Sequence, residues 1–264
     1  MRQGKVYIIG AGPGDPELVT VKGARVLQQA DLILYAASLV SEELFHQCKE
    51  GARLVPSSDL HLDQMVEMMV GAVRQGQVVA RVHSGDPSLY GATWEQLVRL
   101  RQEGIPCEII PGVSSVFAAA AVLQTELTVP EMSQTLILTR AQGRASSLPP
   151  QEQLRELAKH GATLAIFLSA SLTGRVTEEL RQAGLGEQTP VVVVERATWP
   201  DQRILRTRLC DLQRDVRQAG IFRQALILVG EVFDPERVTE KWNRSRLYDQ
   251  NYSHLFRHGA PKDG

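Results

Sequence analysis

Val6-Tyr7-Ile8-Ile9 is an unbroken apolar run that stops abruptly at Gly10-Ala11-Gly12-Pro13-Gly14-Asp15. An apolar stretch without alternation reads as a strand covered on both faces, the habit of parallel sheets. The glycines and proline after it make a tight turn, and the spacing predicts a helix from about Pro16 to Gln29. Leu32 to Tyr35 reads as a second strand. From His61 to Gln75, the residues Leu62, Met65, Val66, Met69 and Val73 fall on one face of a helix, with the methionines as core filler. Val78 to Val82 is again a strand, followed by His83-Ser84-Gly85-Asp86-Pro87. A helix over about 91–102 leads to the strand Cys107 to Ile110, and Pro111-Gly112 opens an alanine-rich helix to about Leu123.

The pattern restarts in the second half. Strands are expected at Leu136 to Thr139, Leu164 to Leu168, Val191 to Val194 and Leu226 to Val229. Helices are expected before Gly161, from about Leu172 to Ala183, and after the polar segment holding Ile204 and Leu205. Strands alternating with helices mean an α/β architecture with largely parallel sheets. Leu127-Thr128-Val129-Pro130 interrupts the helical pattern. The division is therefore an N-terminal lobe over 1–126, a C-terminal lobe over 127–236 and a polar, aromatic tail over 237–264 that is mobile or packed on a partner.

Composition narrows the function. The chain has 264 residues, 43% hydrophobic and 22% charged, enough to bury a core and too apolar for disorder. The net charge of −1 argues against nucleic acid as a partner. Apolar runs such as Val116 to Leu123 are too short to span a bilayer, and the run at Val6 to Ile9 makes no signal sequence. A soluble cytoplasmic protein is expected. Cys48, Cys107 and Cys210 lie too far apart in sequence for a zinc or redox motif, and no metal is expected.

Open α/β sheets bind ligands beyond the carboxyl ends of their strands. Five unusual segments fall there: Gly10 to Asp15, Ser84 to Pro87, Pro111 to Ser115, Ser169 to Ser171 and Arg196 to Pro200. Their division between two halves points to a pocket between two lobes. Gly10-Ala11-Gly12 imitates a dinucleotide fingerprint, but Asp15 stands where its third glycine belongs, and Asp31 precedes the second strand instead of following it. No Gly-Lys-Ser/Thr ends the loop, so it is not a nucleotide P-loop either. Gly85 lets a ligand approach the backbone, and Asp86 can face a cationic group or make an ordinary Asp-Pro turn. Ser114 and Ser115 stand at a helix N-terminus, where they either cap the helix or receive a polar group. His83 is a packed histidine or a base.

Together these loops resemble the tetrapyrrole (corrin/porphyrin) methylases. The resemblance rests on VYIIGAGPGDPELVTVKG (6–23), RVHSGDPSLYG (81–91) and IIPGVSS (109–115), and extends through IFLSASL and VVVVERATWPDQ to ALILVG. LYAASLV (34–40), ELTVPEMSQTLILTRAQGR (126–144) and ATWPDQ (197–202) are similar to the branch that methylates C11 of precorrin-4 or its cobalt complex, in cobalamin biosynthesis. The resemblance implies a homodimeric S-adenosylmethionine-dependent methyltransferase with two α/β lobes, the cofactor in the cleft between them and S-adenosylhomocysteine as product. Position by position, it implies cofactor contacts at Pro13, Ser84, Gly85, Asp86, Leu89, Ser114, Ser115, Leu168 and Ala197, the last two mainly through backbone. Ala37 departs from the branch pattern and receives no role.

A sulfonium is already a good leaving group, so positioning suffices and no metal is needed to activate the methyl. A base is needed only to take a proton as the macrocycle rearranges, with His83 and Asp86 as candidates. The macrocycle carries many carboxylates and demands local cations. Arg140 and Arg144 are expected to hold acetate or propionate groups, with Arg81, Arg196 and Lys22 beside other candidate loops. The rivals are a nicotinamide-dependent oxidoreductase, a non-catalytic tetrapyrrole carrier, and a sister methylase acting at another position or on another acceptor.

Overall fold

The structure is a computed structural model and describes residues 4–143, 147–236, 252–253 and 255–258. The tail expected over 237–264 thus lies almost wholly outside the described residues, as does Arg144. The chain divides into two compact units. The first comprises Met1–Val122 together with Arg196–Gln202, the second Leu123–Glu195 with Arg203–Gly264. The division at 126/127 read from the sequence did not contain the return of Arg196–Gln202 to the first unit.

In the first unit, β1 (Lys5–Gly10), β2 (Leu32–Tyr35), β3 (Arg53–Pro56), β4 (Val78–His83) and β5 (Cys107–Ile110) form one sheet in the order β3-β2-β4-β1-β5. Every pairing is parallel. Side chains alternate between two cores, as the pleat requires. Val6, Ile8, Leu32, Leu34 and Val79 pack with α2 (Leu62–Arg74) and α3 (Thr93–Gln102). Ile9, Ile33, Tyr35, Ala80, Val82 and Ile110 pack on the other face with Leu27, Leu44 and Phe45. Coverage of both faces is why these strands read as apolar runs.

The helix expected over 16–29 is broken. A short 3-10 turn at Pro16–Leu18 precedes α1 (Val21–Leu27). The Thr20 hydroxyl accepts from the Gly23 amide at 3.1 Å, starting a new helix in place of continuing the old one. His61 caps α2 in a reciprocal box with Gln64. α4 (Ser115–Leu123) follows β5.

The second unit carries β6 (Leu136–Arg140), β7 (Thr163–Phe167), β8 (Pro190–Glu195), β9 (Arg203–Arg208) and β10 (Ala225–Val229), ordered β6-β7-β10-β8-β9. Its sheet is mixed. Only β6 and β7 are parallel, while β10 runs antiparallel to both neighbours and β9 antiparallel to β8. The α/β class holds, but the largely parallel expectation does not extend to this sheet. Apolar runs report burial on both faces and are silent on direction. α5 (Leu154–Leu157), α6 (Thr173–Gln182) and α7 (Leu212–Gln218) flank a core of Leu164, Ile166, Val176, Leu180, Val191, Val193, Leu212 and Ile227. The helix expected before Gly161 is one turn of α-helix between two 3-10 turns.

Candidate active site

The register places three loop starts of the first unit level with one another. Gly10 is opposite His83, and Ile9 is opposite Ile110, so the chain leaves β4, β1 and β5 at one sheet edge. There the backbones touch. Gly12 and Gly85 form a bridge, with the Gly85 amide donating to the Gly12 carbonyl at 2.7 Å. A Cβ on Gly10 would lie 2.6 Å from Gly112 Cα, and one on Gly112 would lie 2.1 Å from Gly85 O. No side chain fits at either position, so the glycines at 10 and 112 serve close packing of loop on loop. Gly85 differs. Its φ of +60° requires a left-handed residue, yet its nearest neighbour to an added Cβ is 3.8 Å away.

Asp86 braces this junction. Its carboxylate accepts from the Gly112 amide at 2.9 Å and the Ser88 amide at 2.8 Å, and also from the Ser88 hydroxyl. Burial pushes the carboxyl up, but the hydrogen bonds from Ser88 and Gly112 outweigh it and hold the group below its usual range. Asp86 is therefore ionised and bonded at neutral pH, a weak base. His83 is 6% exposed, and its Nε2 has no hydrogen-bond partner among the described residues. Burial, with the Arg81 charge beside it, pushes the imidazole down to about 3. A group that releases its proton so readily is a poor proton acceptor at neutral pH. The two candidate bases thus differ in setting: Asp86 is held by hydrogen bonds at the loop junction, and His83 is buried beside Arg81.

Arg81 is also 6% exposed and cannot serve a substrate carboxylate from the surface. Its Nε donates to Gln96 Oε1 at 3.0 Å, and its Nη1 reaches Leu34 O, Ser57 Oγ and Val82 O at 3.3–3.4 Å. Lys22 pairs with Glu108, which Lys5 also binds at 2.5 Å. Ser114 is buried, and its carbonyl accepts from Phe117 and Ala118 at the start of α4. Pro13, Ser84, Leu89 and Ser115 are each partly exposed on the same unit.

The segment Arg196–Gln202 closes on the glycine loop. The Trp199 indole N–H donates to Pro13 O at 2.9 Å, and the Asp15 amide donates to Thr198 Oγ1 at 3.0 Å. Arg196 stacks over the Trp199 ring at 4.0 Å and pairs with Asp201 at 2.7 Å. Arg196 and Thr198 take φ of 50° and 69°, on either side of buried Ala197. For a β-branched threonine this backbone is strained, by about 1–3 kcal/mol. Sequence reasoning singled out Ala197 and passed over Thr198 and Trp199. The available signal was a tryptophan held between a threonine and a proline at a strand end.

In the second unit, Leu168 is 67% exposed with φ of 53°. Ser169, fully buried beside it, donates to Phe167 O at 2.6 Å and accepts from the Ala141 amide at 2.8 Å. Arg140, half-buried at the end of β6, donates to Ala141 O at 3.4 Å. Among the described residues, no group of three or more His, Cys, Asp or Glu side chains could hold a metal. No helix among them is long and apolar enough to cross a membrane.

Residues 5–213 match the model of the Tetrapyrrole (Corrin/Porphyrin) Methylases, most of the chain and all the loops of the junction. The chain belongs to this family. Among relatives of this methylase, the cobalt-precorrin-4 C(11)-methyltransferase of Priestia megaterium is 52% identical over 98% of this chain and all of its own length. A crystal structure of a cobalamin biosynthetic enzyme, cobalt precorrin-4 methyltransferase, superposes with a TM-score of 0.85 at 54% identity, covering 88% of this chain and 96% of that one. The Thermus thermophilus uroporphyrin-III C-methyltransferase complexed with S-adenosylhomocysteine gives 0.73 at 28% identity, over 87% and 98% of the two chains. The match spans the glycine loop, the Ser84–Pro87 loop and the Pro111–Ser115 loop alike. No lysine or arginine stands in 10–15, 84–88 or 111–115, whereas Asp15 and Asp86 do.

Proposed function

We propose that this chain is the methyltransferase that acts at C11 of precorrin-4 or its cobalt complex, in cobalamin biosynthesis, with S-adenosylmethionine as donor. The observation that carries the donor is the chemistry of the junction: backbone groups, small residues and carboxylates, with no cation among the three loops. That set suits a ligand with a positive centre and no phosphate, and does not suit a dinucleotide. When bound, S-adenosylmethionine supplies an electrophilic methyl on a sulfonium.

The residues of this chain act by holding. Pro13, Ser84, Gly85, Asp86, Leu89, Ser114, Ser115 and Ala197 border the donor in the first unit, and Leu168 remains a contact of the second on the family resemblance. Asp86 keeps the Ser84–Ser88 loop against Gly112, so the donor meets a preformed wall. Preorganisation of this kind is worth up to about 7–11 kcal/mol of barrier in the best-oriented cases. We assign the substrate carboxylates to Arg140 and Arg144. Replacing both by alanine is expected to raise the substrate KM at least about tenfold at unchanged donor KM, since charge-assisted bonds are worth about 1.5–3 kcal/mol each. A homodimer and a cytoplasmic location complete the proposal, the first checked by sedimentation.

The deciding experiment is turnover with labelled S-adenosylmethionine and both metal-free and cobalt-loaded precursor, with the new methyl located by NMR. A methyl at C11 supports the reading. A methyl elsewhere makes the chain a sister methylase, and binding without turnover makes it a carrier.

A further inference from the structure

We propose that Trp199 and Thr198 form a clasp that positions the glycine loop for donor binding, and that Gly14 is glycine because the indole occupies the place of its side chain. The assignment rests on the S-adenosylmethionine reading above. Three consecutive loop residues are gripped by two consecutive residues of the clasp. Pro13 O receives the indole N–H at 2.9 Å, and the Asp15 amide is bound by Thr198 Oγ1 at 3.0 Å. Between them, a Cβ on Gly14 would lie 2.2 Å from Trp199 Cδ1 and 2.4 Å from Nε1. The ring therefore lies flush on the backbone of Gly14 and fixes the loop at Pro13, one of the residues assigned to the donor.

The clasp is itself fastened. Arg196 covers the Trp199 ring at 4.0 Å and is tied to Asp201, and the Thr198 amide donates to Gln202 Oε1 at 2.7 Å. Ala197 lies inside this small closed loop, 6% exposed. Disturbing the clasp shifts two assigned donor contacts, Pro13 and Ala197, while leaving no reacting atom touched. Trp199 is thus a positioning residue, and its signature is lost donor affinity with a largely preserved maximal rate.

The test is calorimetric titration of S-adenosylhomocysteine, with steady-state kinetics, on the full chain and four variants, Trp199→Phe, Trp199→Ala, Gly14→Ala and the Gly14→Ala/Trp199→Ala double variant, whose folding is checked by thermal melting. Trp199→Phe keeps the ring and loses the N–H, and is expected to weaken product binding about two- to tenfold, the range of one hydrogen bond. Trp199→Ala is expected to weaken it further and to raise the donor KM in parallel, with kcat within about threefold of wild type. Gly14→Ala is expected to weaken binding in the native background but to add nothing to Trp199→Ala, because the ring it collides with is gone. Folded Trp199→Ala with native affinity, or Gly14→Ala and Trp199→Ala whose effects multiply, would overturn the clasp. If Trp199→Ala does not fold, Trp199→Phe with native affinity overturns it. Wild-type protein that binds no S-adenosylhomocysteine would instead remove the functional reading on which the clasp depends.

Discussion

At the strand ends of the first unit, loops are joined by backbone against backbone; in the second, a serine hydroxyl does the joining. Gly10 and Gly112 leave no room for a Cβ between the loops after β1, β4 and β5, whereas a Cβ on Gly85 would meet nothing nearer than 3.8 Å. After β6 and β7, Ser169 Oγ spans Phe167 O and the Ala141 amide, and the neighbouring Leu168 is turned out to solvent. The first solution makes a rigid wall and tolerates no side chain. The second keeps a side chain in view at the cost of a left-handed leucine.

The sharpest way to break this contrast is Gly112→Ala. Its new methyl would meet Gly85 O at 2.1 Å, a backbone atom that cannot swing aside. Loss of about 3 kcal/mol or more is expected, read by urea unfolding, together with loss of S-adenosylhomocysteine binding. Gly85→Asn is the control, since asparagine accepts a left-handed φ and has space there; a loss below about 1 kcal/mol is expected. Equal damage at both positions would mean that φ, and not contact, makes these residues glycine.

Acid is the second probe. His83 has its pKa lowered from 6.5 to about 3 in the folded chain. Between those values the unfolded chain binds a proton that the native one refuses, so stability rises with pH through this window and falls on acidification. The slope is up to about 1.4 kcal/mol per pH unit from this group. Asp86, held low by its hydrogen bonds, adds a loss only below the ordinary carboxylate range. His83→Gln should flatten the limb between pH 6 and 4 in about the proportion of this single group, measured by unfolding at stepped pH. An unaltered limb would show that His83 does not carry it.

Ser169→Ala tests the second unit. It strands the Ala141 amide in a buried place, and a loss of about 1–3 kcal/mol is expected by thermal denaturation. Valine or threonine rescue would separate filling of the space from the hydroxyl itself, and only threonine should help. The smallest effect belongs to Lys22→Ala. Lys22 is 65% exposed beside Glu108, which keeps Lys5 as a partner, so a change below about 0.5 kcal/mol is expected.

Much of this was legible before any coordinates. The strands at β1, β2, β4, β7, β8 and β10 announce themselves because both faces are buried, and the partly exposed edge strands β5 and β6 still read as apolar runs. β3 and β9 do not. Each closes one edge of its sheet, and Arg53, Leu54, Arg203 and Ile204 are exposed, so neither carries an apolar run. The charge on an edge strand that discourages further pairing is the feature that hides it from a hydropathy reading. The candidate loops were legible as glycine and small residues after apolar runs. The fate of single side chains was not: Arg81 and Lys22 read as cations near loops, and one is buried among neutral acceptors while the other pairs with Glu108.

The chain's local chemistry alone determined the α/β class and the strand-end position of the loops, and its motifs carried the resemblance to the methylases that the family match bears out, because periodicity and motif spacing are properties of neighbours in sequence. Tertiary structure decided which strands run antiparallel, which glycines are glycine for lack of space, that Asp86 is a brace and His83 a neutral buried ring, and that Trp199 lies on Gly14. These depend on groups brought together from distant positions. Residues 14 and 199 acquire a joint meaning only when folding brings the indole against the glycine backbone.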